Sequence, residues 1–160
     1  MEKENKLRKV SGVMNRSVKR VRKDTSMRKV VETMAENKIS CVVVTESRKP
    51  LGVITERDIL KKVVLKNLDV DKTKAEQVMS KKLVTVTPEN DLVPTGRLMK
   101  KRKVRRFPVI NNNKNLVGIV TETDILEGII SLVKHLDWKL VKMRISVAEY
   151  AKKLKESKFL

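Results

Sequence analysis

Apolar positions along the chain change period several times, and each change marks a predicted element. Val18–Val21 alternates apolar and polar residues, as a half-buried strand does. Met27, Val30, Val31 and Met34 then recur at the spacing of one helix face, behind the helix-starting oxygens of Asp24, Thr25 and Ser26. Asn37-Lys38 closes that helix, Ile39–Thr45 is rich in β-formers, Ser47–Pro50 turns the chain and Leu51–Ile54 reads as a second buried strand. A helix from Thr55 to about Leu65 completes a β-α-β-β-α unit over residues 13–65.

The same order returns over residues 78–133. Val84–Val86 is the predicted strand and Pro88-Glu89-Asn90-Asp91 the helix start. Phe107–Ile110 and Leu116–Val120 form the strand pair, and Thr121 opens the closing helix. Pro94 and Gly96 weaken the helix around Leu92–Lys101, because proline is tolerated only in a first turn, so this helix is expected to start late. The polar, charged stretch Lys66–Lys74 makes residues 66–77 a linker.

The two units are copies. Gly52-Val53-Ile54-Thr55-Glu56-Arg57-Asp58-Ile59-Leu60 returns 66 positions later as Gly118-Ile119-Val120-Thr121-Glu122-Thr123-Asp124-Ile125-Leu126, with six identities. Upstream the spacing is 65: Val13-Met14 matches Val78-Met79, Val21 matches Val86, Met34 matches Met99, and Ile39 and Val44 match Val104 and Val109. The extra residue belongs to the turn containing Asn111, Asn112 and Asn113, where solvated backbone accepts insertions. A unit of roughly 55–65 residues is marginal alone, so the copies are expected to bury their apolar faces against each other.

Beyond the repeat, Leu132, Leu136, Leu140, Met143, Val147, Tyr150 and Leu154 follow one helix face. They predict a C-terminal amphipathic helix over 134–160, packed on the body or on another subunit. Residues 1–12 form a basic N-terminal segment. Apolar residues make up 40% of the 160 but aromatics only 2%, so the core is aliphatic. Nothing resembles a signal peptide and no apolar run approaches the ~20 residues of a membrane span, which makes the cytoplasm the expected location. The lone Cys41, in an apolar run, reads as a small buried thiol.

The formal charge of +19 is concentrated in Lys3–Lys29, Arg97–Arg106 and Lys134–Lys158. It attracts polyanions in general without choosing among them. Enzymatic readings find little support: His135 is the single histidine and reads as a polar position on the tail helix. There is no Cys/His cluster for zinc, no nucleophile–base pair and no Gly-x-x-x-x-Gly-Lys loop. Binding without turnover, catalytic cofactor or metal is the expectation.

Thr55-x-x-Asp58 and Thr121-x-x-Asp124 admit two readings. A Thr with an acid three residues on is close to a capping box, which satisfies free amides at a helix start. The same first turn favours phosphate through its unpaired N–H groups, while a carboxylate there accepts from the two hydroxyls of a ribose. Residue types alone leave both open.

The repeated Gly-Val-Ile-Thr-Glu-Arg-Asp and Gly-Ile-Val-Thr-Glu-Thr-Asp, together with Val104-Arg105-Arg106-Phe107-Pro108-Val109, resemble a tandem pair of cystathionine-β-synthase (CBS) domains, or Bateman module, over about residues 13–133. The resemblance implies an α/β fold of the α+β type. Two β-α-β-β-α units pack through their sheets with pseudo-twofold symmetry, leaving two clefts that take AMP, ADP, ATP or adenosyl compounds such as S-adenosylmethionine. It puts Thr55 and Thr121 at the phosphate-facing hydroxyl position, Asp58 and Asp124 at the ribose carboxylate, and Arg105 and Arg106 near the phosphates. Ser40-Cys41 stands at the equivalent place in the first unit, so the clefts are expected to differ, the one reached by the arginines preferring more phosphate. Lys23 in place of Pro88, and the Pro94-Thr95-Gly96 helix, depart from the pattern. The implied function is a regulatory module, a homodimer of CBS pairs that signals to an effector protein. The competing reading is nucleic-acid binding through the basic surface, for which Phe107, Trp138, Tyr150 and Phe159 offer a poor stacking platform.

Overall fold

The computed structural model describes residues 8–136 and 138. After a 3-10 turn, Val10–Gly12, strand β1 (Arg20–Arg22) leads to helix α1 (Met27–Glu36), capped by the Ser26 side chain. A hairpin of β2 (Cys41–Glu46) and β3 (Lys49–Thr55) follows. It feeds α2 (Glu56–Ile59), which widens into a π turn over Leu60–Val64. The short α3 (Ala75–Val78) joins this unit to α4 (Leu92–Arg102), the hairpin of β4 (Arg106–Ile110) and β5 (Leu116–Thr121), and a closing helix α5 over residues 122–136. The order β-α-β-β-α is thus present, and α5 runs unbroken past residue 133 into the start of the tail. The rest of the predicted amphipathic helix, to residue 160, lies outside the described residues, Trp138 apart.

Parallel pairing of β1 with β2 and antiparallel pairing of β2 with β3 give the first sheet the order β1-β2-β3. The second sheet holds β4 and β5 only. Its predicted first strand, Val84–Val86, is reduced to a bridge between Val86 and Val109. The reason is chemical. In the first sheet Val43 N–H donates to the Lys19 carbonyl at 3.2 Å, and the residue in the place of Val43 is Pro108, which has no N–H to give. Only the bonds around Val86 survive, to Pro108 O at 3.1 Å and from Ile110 N at 2.9 Å.

Helix α4 begins at Leu92, so Pro94 stands third in its first turn, where its missing N–H breaks no helical bond. Both α1 and α4 stop the same way. Lys38 and Lys103 adopt left-handed conformations, and the next amides, of Ile39 and Val104, reach back to Met34 O and Met99 O at 3.0 and 3.1 Å. The β2–β3 turn is tighter than predicted, with Ser47 and Arg48 alone at its tip, both at positive φ.

The units are bound by an exchange of lead-in segments. Val10 and Met14 are buried with Val86, Leu92, Met99, Phe107, Val109, Val120 and Ile125, in the core of the second unit. Ala75 and Val78 are buried with Val21, Met27, Val30, Met34, Val42, Val44 and Ile54, in the core of the first. The bonds are matched across the repeat. Ala75 N–H donates to Thr25 O at 2.8 Å and Glu76 N–H to Lys23 O at 3.0 Å. Val10 N–H donates to Asn90 O at 2.8 Å and Ser11 N–H to Pro88 O at 2.9 Å. Further on, Asn15 pairs with Ile119, and Ser80 with Val53. This reciprocity is the pseudo-twofold. It also means that the predicted linker is docked chain: Met27 N–H and Arg28 N–H donate to Thr73 O and Val70 O at 2.9 and 3.0 Å.

Candidate functional site

Each closing helix starts at the end of a strand, and there a Thr and an Asp close a ring of hydrogen bonds. In the first unit the Thr55 amide and hydroxyl donate to Asp58 Oδ2 at 3.0 and 2.6 Å, and the Asp58 amide donates to Thr55 Oγ1 at 3.2 Å. In the second, the Thr121 amide and hydroxyl donate to Asp124 Oδ2 at 2.7 and 2.8 Å, and the Asp124 amide to Thr121 Oγ1 at 3.2 Å. The capping box therefore exists in both copies. It occupies one oxygen of each carboxylate, and the fate of the other oxygen separates the two.

At Asp58 the second oxygen is taken. Lys62 Nζ lies 2.7 Å from Asp58 Oδ1, and Ser80 Oγ donates to the same oxygen at 3.3 Å. The ammonium also donates to Val78 O at 2.7 Å and to Ser80 Oγ at 3.4 Å, so its three protons are all placed. Burial pushes the Asp58 carboxyl upward, but the bonds from Lys62 and from the Thr55 hydroxyl and amide outweigh it, leaving the group below its ordinary value.

At Asp124 neither neighbour recurs. The position of Lys62 is held by Gly128 and that of Ser80 by Asn15. Gly128 has no room for more, since a Cβ there would lie 2.5 Å from Val13 Cγ1. Among the described residues Asp124 Oδ1 has no hydrogen-bond or ion-pair partner. Asp124 lines a cavity of about 310 Å³ between the units, together with Asn15, Lys19, Lys38, Ser40, Arg106 and Thr121 among others. Arg106 crosses from β4 to the first unit, where both its Nη atoms donate to Ser40 Oγ at 3.2 Å. Its partner is a neutral hydroxyl, so the guanidinium charge is not cancelled. Lys19, Lys38 and Arg106 line the same cavity as this carboxylate, an environment for an anion that also carries hydroxyl donors.

Ser40, Arg106, Thr121 and Asp124 are thus gathered in one cleft, whereas Thr55 and Asp58 stand at the equivalent helix start of the first unit. Arg105 is not among the cavity-lining residues: its side chain is exposed, and its carbonyl accepts from Glu122 N at 2.9 Å. Asn15, Lys19, Lys38, Lys62 and Ser80 were not anticipated. For Lys62 the signal was present, as Asp58 and Lys62 have the four-residue spacing of a helical ion pair that the second copy lacks. Among the described residues there is no group of three or more His, Cys, Asp or Glu able to hold a metal, and no helix long and apolar enough to cross a membrane.

The CBS domain family model matches the chain twice, over residues 10–65 and 75–131. An uncharacterised protein of Methanopyrus kandleri is 35% identical over 105 residues, covering 66% of this chain; the chain spans only 54% of that relative's length. A conserved CBS domain protein of unknown function from Thermoplasma acidophilum superposes with a TM-score of 0.68 at 26% identity, covering 78% of this chain and 74% of that one. A CBS domain pair solved with 5′-methylthioadenosine and S-adenosyl-L-methionine superposes with a TM-score of 0.67 at 22% identity, covering 74% of this chain and 93% of that one.

Proposed function

This chain belongs to the CBS domain family, carrying the domain twice, and from that premise we propose that it is a non-catalytic regulatory module for an adenine nucleotide or adenosyl compound. The observation that carries the reading is the Asp124 cleft. Asp124, whose Oδ1 has no partner among the described residues, lines a cavity with Arg106, Lys38 and Lys19. Asp124 Oδ1 accepts the ribose hydroxyls, and Arg106, leaving Ser40, grips phosphate. Occupancy of one solved CBS pair by methylthioadenosine and S-adenosyl-L-methionine gives the ligand class its precedent.

The ligand acts by binding one arrangement of the units better than another, and the output passes to oligomeric state or to an effector protein. Leu60 and Leu126 hold equivalent places on the closing helices and are each 58% exposed; Val64 and Ile130, one turn on, are also exposed. Apolar residues left out at matched positions support a homodimer of modules joined through these helices.

Calorimetry with AMP, ATP and S-adenosyl-L-methionine tests the binding claim. Asp124→Ala is expected to weaken whichever ligand binds by at least about tenfold, the value of one charged hydrogen bond. Unchanged affinity in that variant removes the ribose contact and the reading with it.

A further inference from the structure

The two closing helices start with the same Thr and Asp, yet the chain treats the two carboxylates differently. Lys62 holds Asp58 Oδ1 at 2.7 Å, shares Ser80 with it, and is itself tied to Val78 O at 2.7 Å. Gly128, in the place of Lys62, puts nothing beside Asp124, and the close approach of Val13 forbids a side chain there. We infer that Lys62 is a built-in occupant of the ribose position at Asp58, which limits the chain to one adenosyl ligand, held at Asp124.

The inference rests on the function proposed above and adds its stoichiometry and the residue that sets it. A ribose diol offers Asp58 two neutral donors. To make those bonds it must displace an ammonium whose three protons are already placed, and strand that charge against the Val78 carbonyl. At Asp124 the same diol has no bond to Oδ1 from the described residues to displace. The Asp58 side chain is only 15% exposed, so the charge pair is shielded from the salt that would loosen a surface bridge. Lys62 is 36% exposed and is not among the buried side chains of the core, so removing its ammonium is expected to leave that core folded.

The test is the number of ligands per chain, by calorimetry with AMP, ATP and S-adenosyl-L-methionine as separate probes. Wild type is expected to bind one equivalent of whichever probe it accepts, and Asp124→Ala to lose it. Lys62→Ala, and Lys62→Met as a variant that keeps the stem and helix propensity, are expected to bind two. Lys62→Ala combined with Asp124→Ala is expected to bind one. Two equivalents on wild type, or one on both Lys62 variants, overturn the inference while leaving the nucleotide reading standing. No binding by wild type and the Lys62 variants alike removes the nucleotide reading and the inference together.

Discussion

Gly52 and Met79 meet with no space for a side chain between them: a Cβ on Gly52 would lie 2.8 Å from Met79 Sδ and 2.9 Å from the Ser80 carbonyl oxygen. The contact has a twin. A Cβ on Gly118 would lie 3.0 Å from Met14 Sδ and 3.1 Å from Asn15 O. These glycines open the repeated motif because the lead-in of the other unit crosses each of them, and the Val-Met repeat upstream is the other half of the contact.

Replacing either glycine with alanine is therefore expected to destabilise, by about 1–3 kcal/mol for an overpacked site. The order is part of the expectation. Gly52→Ala meets the closer backbone oxygen, which cannot swing aside as a thioether can, so it is the more damaging of the two. Urea denaturation of both variants checks this, and a larger midpoint loss for Gly118→Ala would contradict it.

The β2–β3 turn carries a second expectation. Ser47 and Arg48 both take positive φ, 46° and 72°, without glycine. A two-residue turn of this kind prefers Asn-Gly, since other side chains crowd the backbone there. Ser47→Asn with Arg48→Gly is expected to raise stability by about 1 kcal/mol, a conformational gain of the order expected per left-handed residue. The Arg48 carbonyl, which accepts from Leu116 N at 2.9 Å, is kept. Thermal unfolding of the double variant reads the result directly, and a lower melting temperature would count against it.

What could be read from residue types follows a physical divide. Local periodicity located α1, the two hairpins and the closing helices, because each buries one face of a short segment. The four-residue step from Asp58 to Lys62 was equally local and went unread beside the louder Thr–Asp motif. The lead-in exchange was hidden, because Val10 meets its partners Val86 and Phe107 only after folding, with most of the first unit between them in sequence. The lost strand at Val84–Val86 lay between these cases. Pro108 was visible, but its consequence depends on knowing that its absent N–H would have faced Val84. The arginines divided for a similar reason: Arg105 lies in the bend before β4 with its side chain exposed, whereas Arg106 opens the strand and lines the cleft, a difference that their adjacency in sequence does not reveal.

The Asp58–Lys62 pair makes a pH-dependent contribution whose sign follows from the lowered carboxyl. A folded-state value below the unfolded one means that the unfolded chain binds the proton first. The stabilisation is fully present above the unfolded value of about 4 and is lost as pH falls through the folded one. Wild type is expected to lead both Asp58→Asn and Lys62→Met in melting temperature at pH 7, with the lead shrinking below about pH 4. A lead over both variants that stays constant down to pH 2.5 would show that the pair does not titrate as described, and that the variants act through packing.

Arg106 ought to decide how many phosphates the Asp124 cleft prefers. Its two Nη atoms rest on Ser40 Oγ, a neutral partner that a phosphate oxygen outcompetes, and among the described residues it pairs with no carboxylate. A charged hydrogen bond contributes about 1.5–3 kcal/mol, so Arg106→Ala is expected to weaken ATP about 10- to 100-fold. Adenosine, which reaches Asp124 but brings no charge to the arginine, is expected to change less than about threefold, since a surface change away from its contacts costs under ~0.5 kcal/mol. Arg106→Lys restores the charge without the two-pronged fork, and so belongs between the two. Salt separates charge from shape: raising ionic strength should erode the ATP preference of wild type and leave adenosine nearly unaffected. Calorimetry with adenosine, AMP and ATP at two salt concentrations supplies the numbers. Equal losses for adenosine and ATP in Arg106→Ala would mean that this arginine shapes the cavity without reading phosphate.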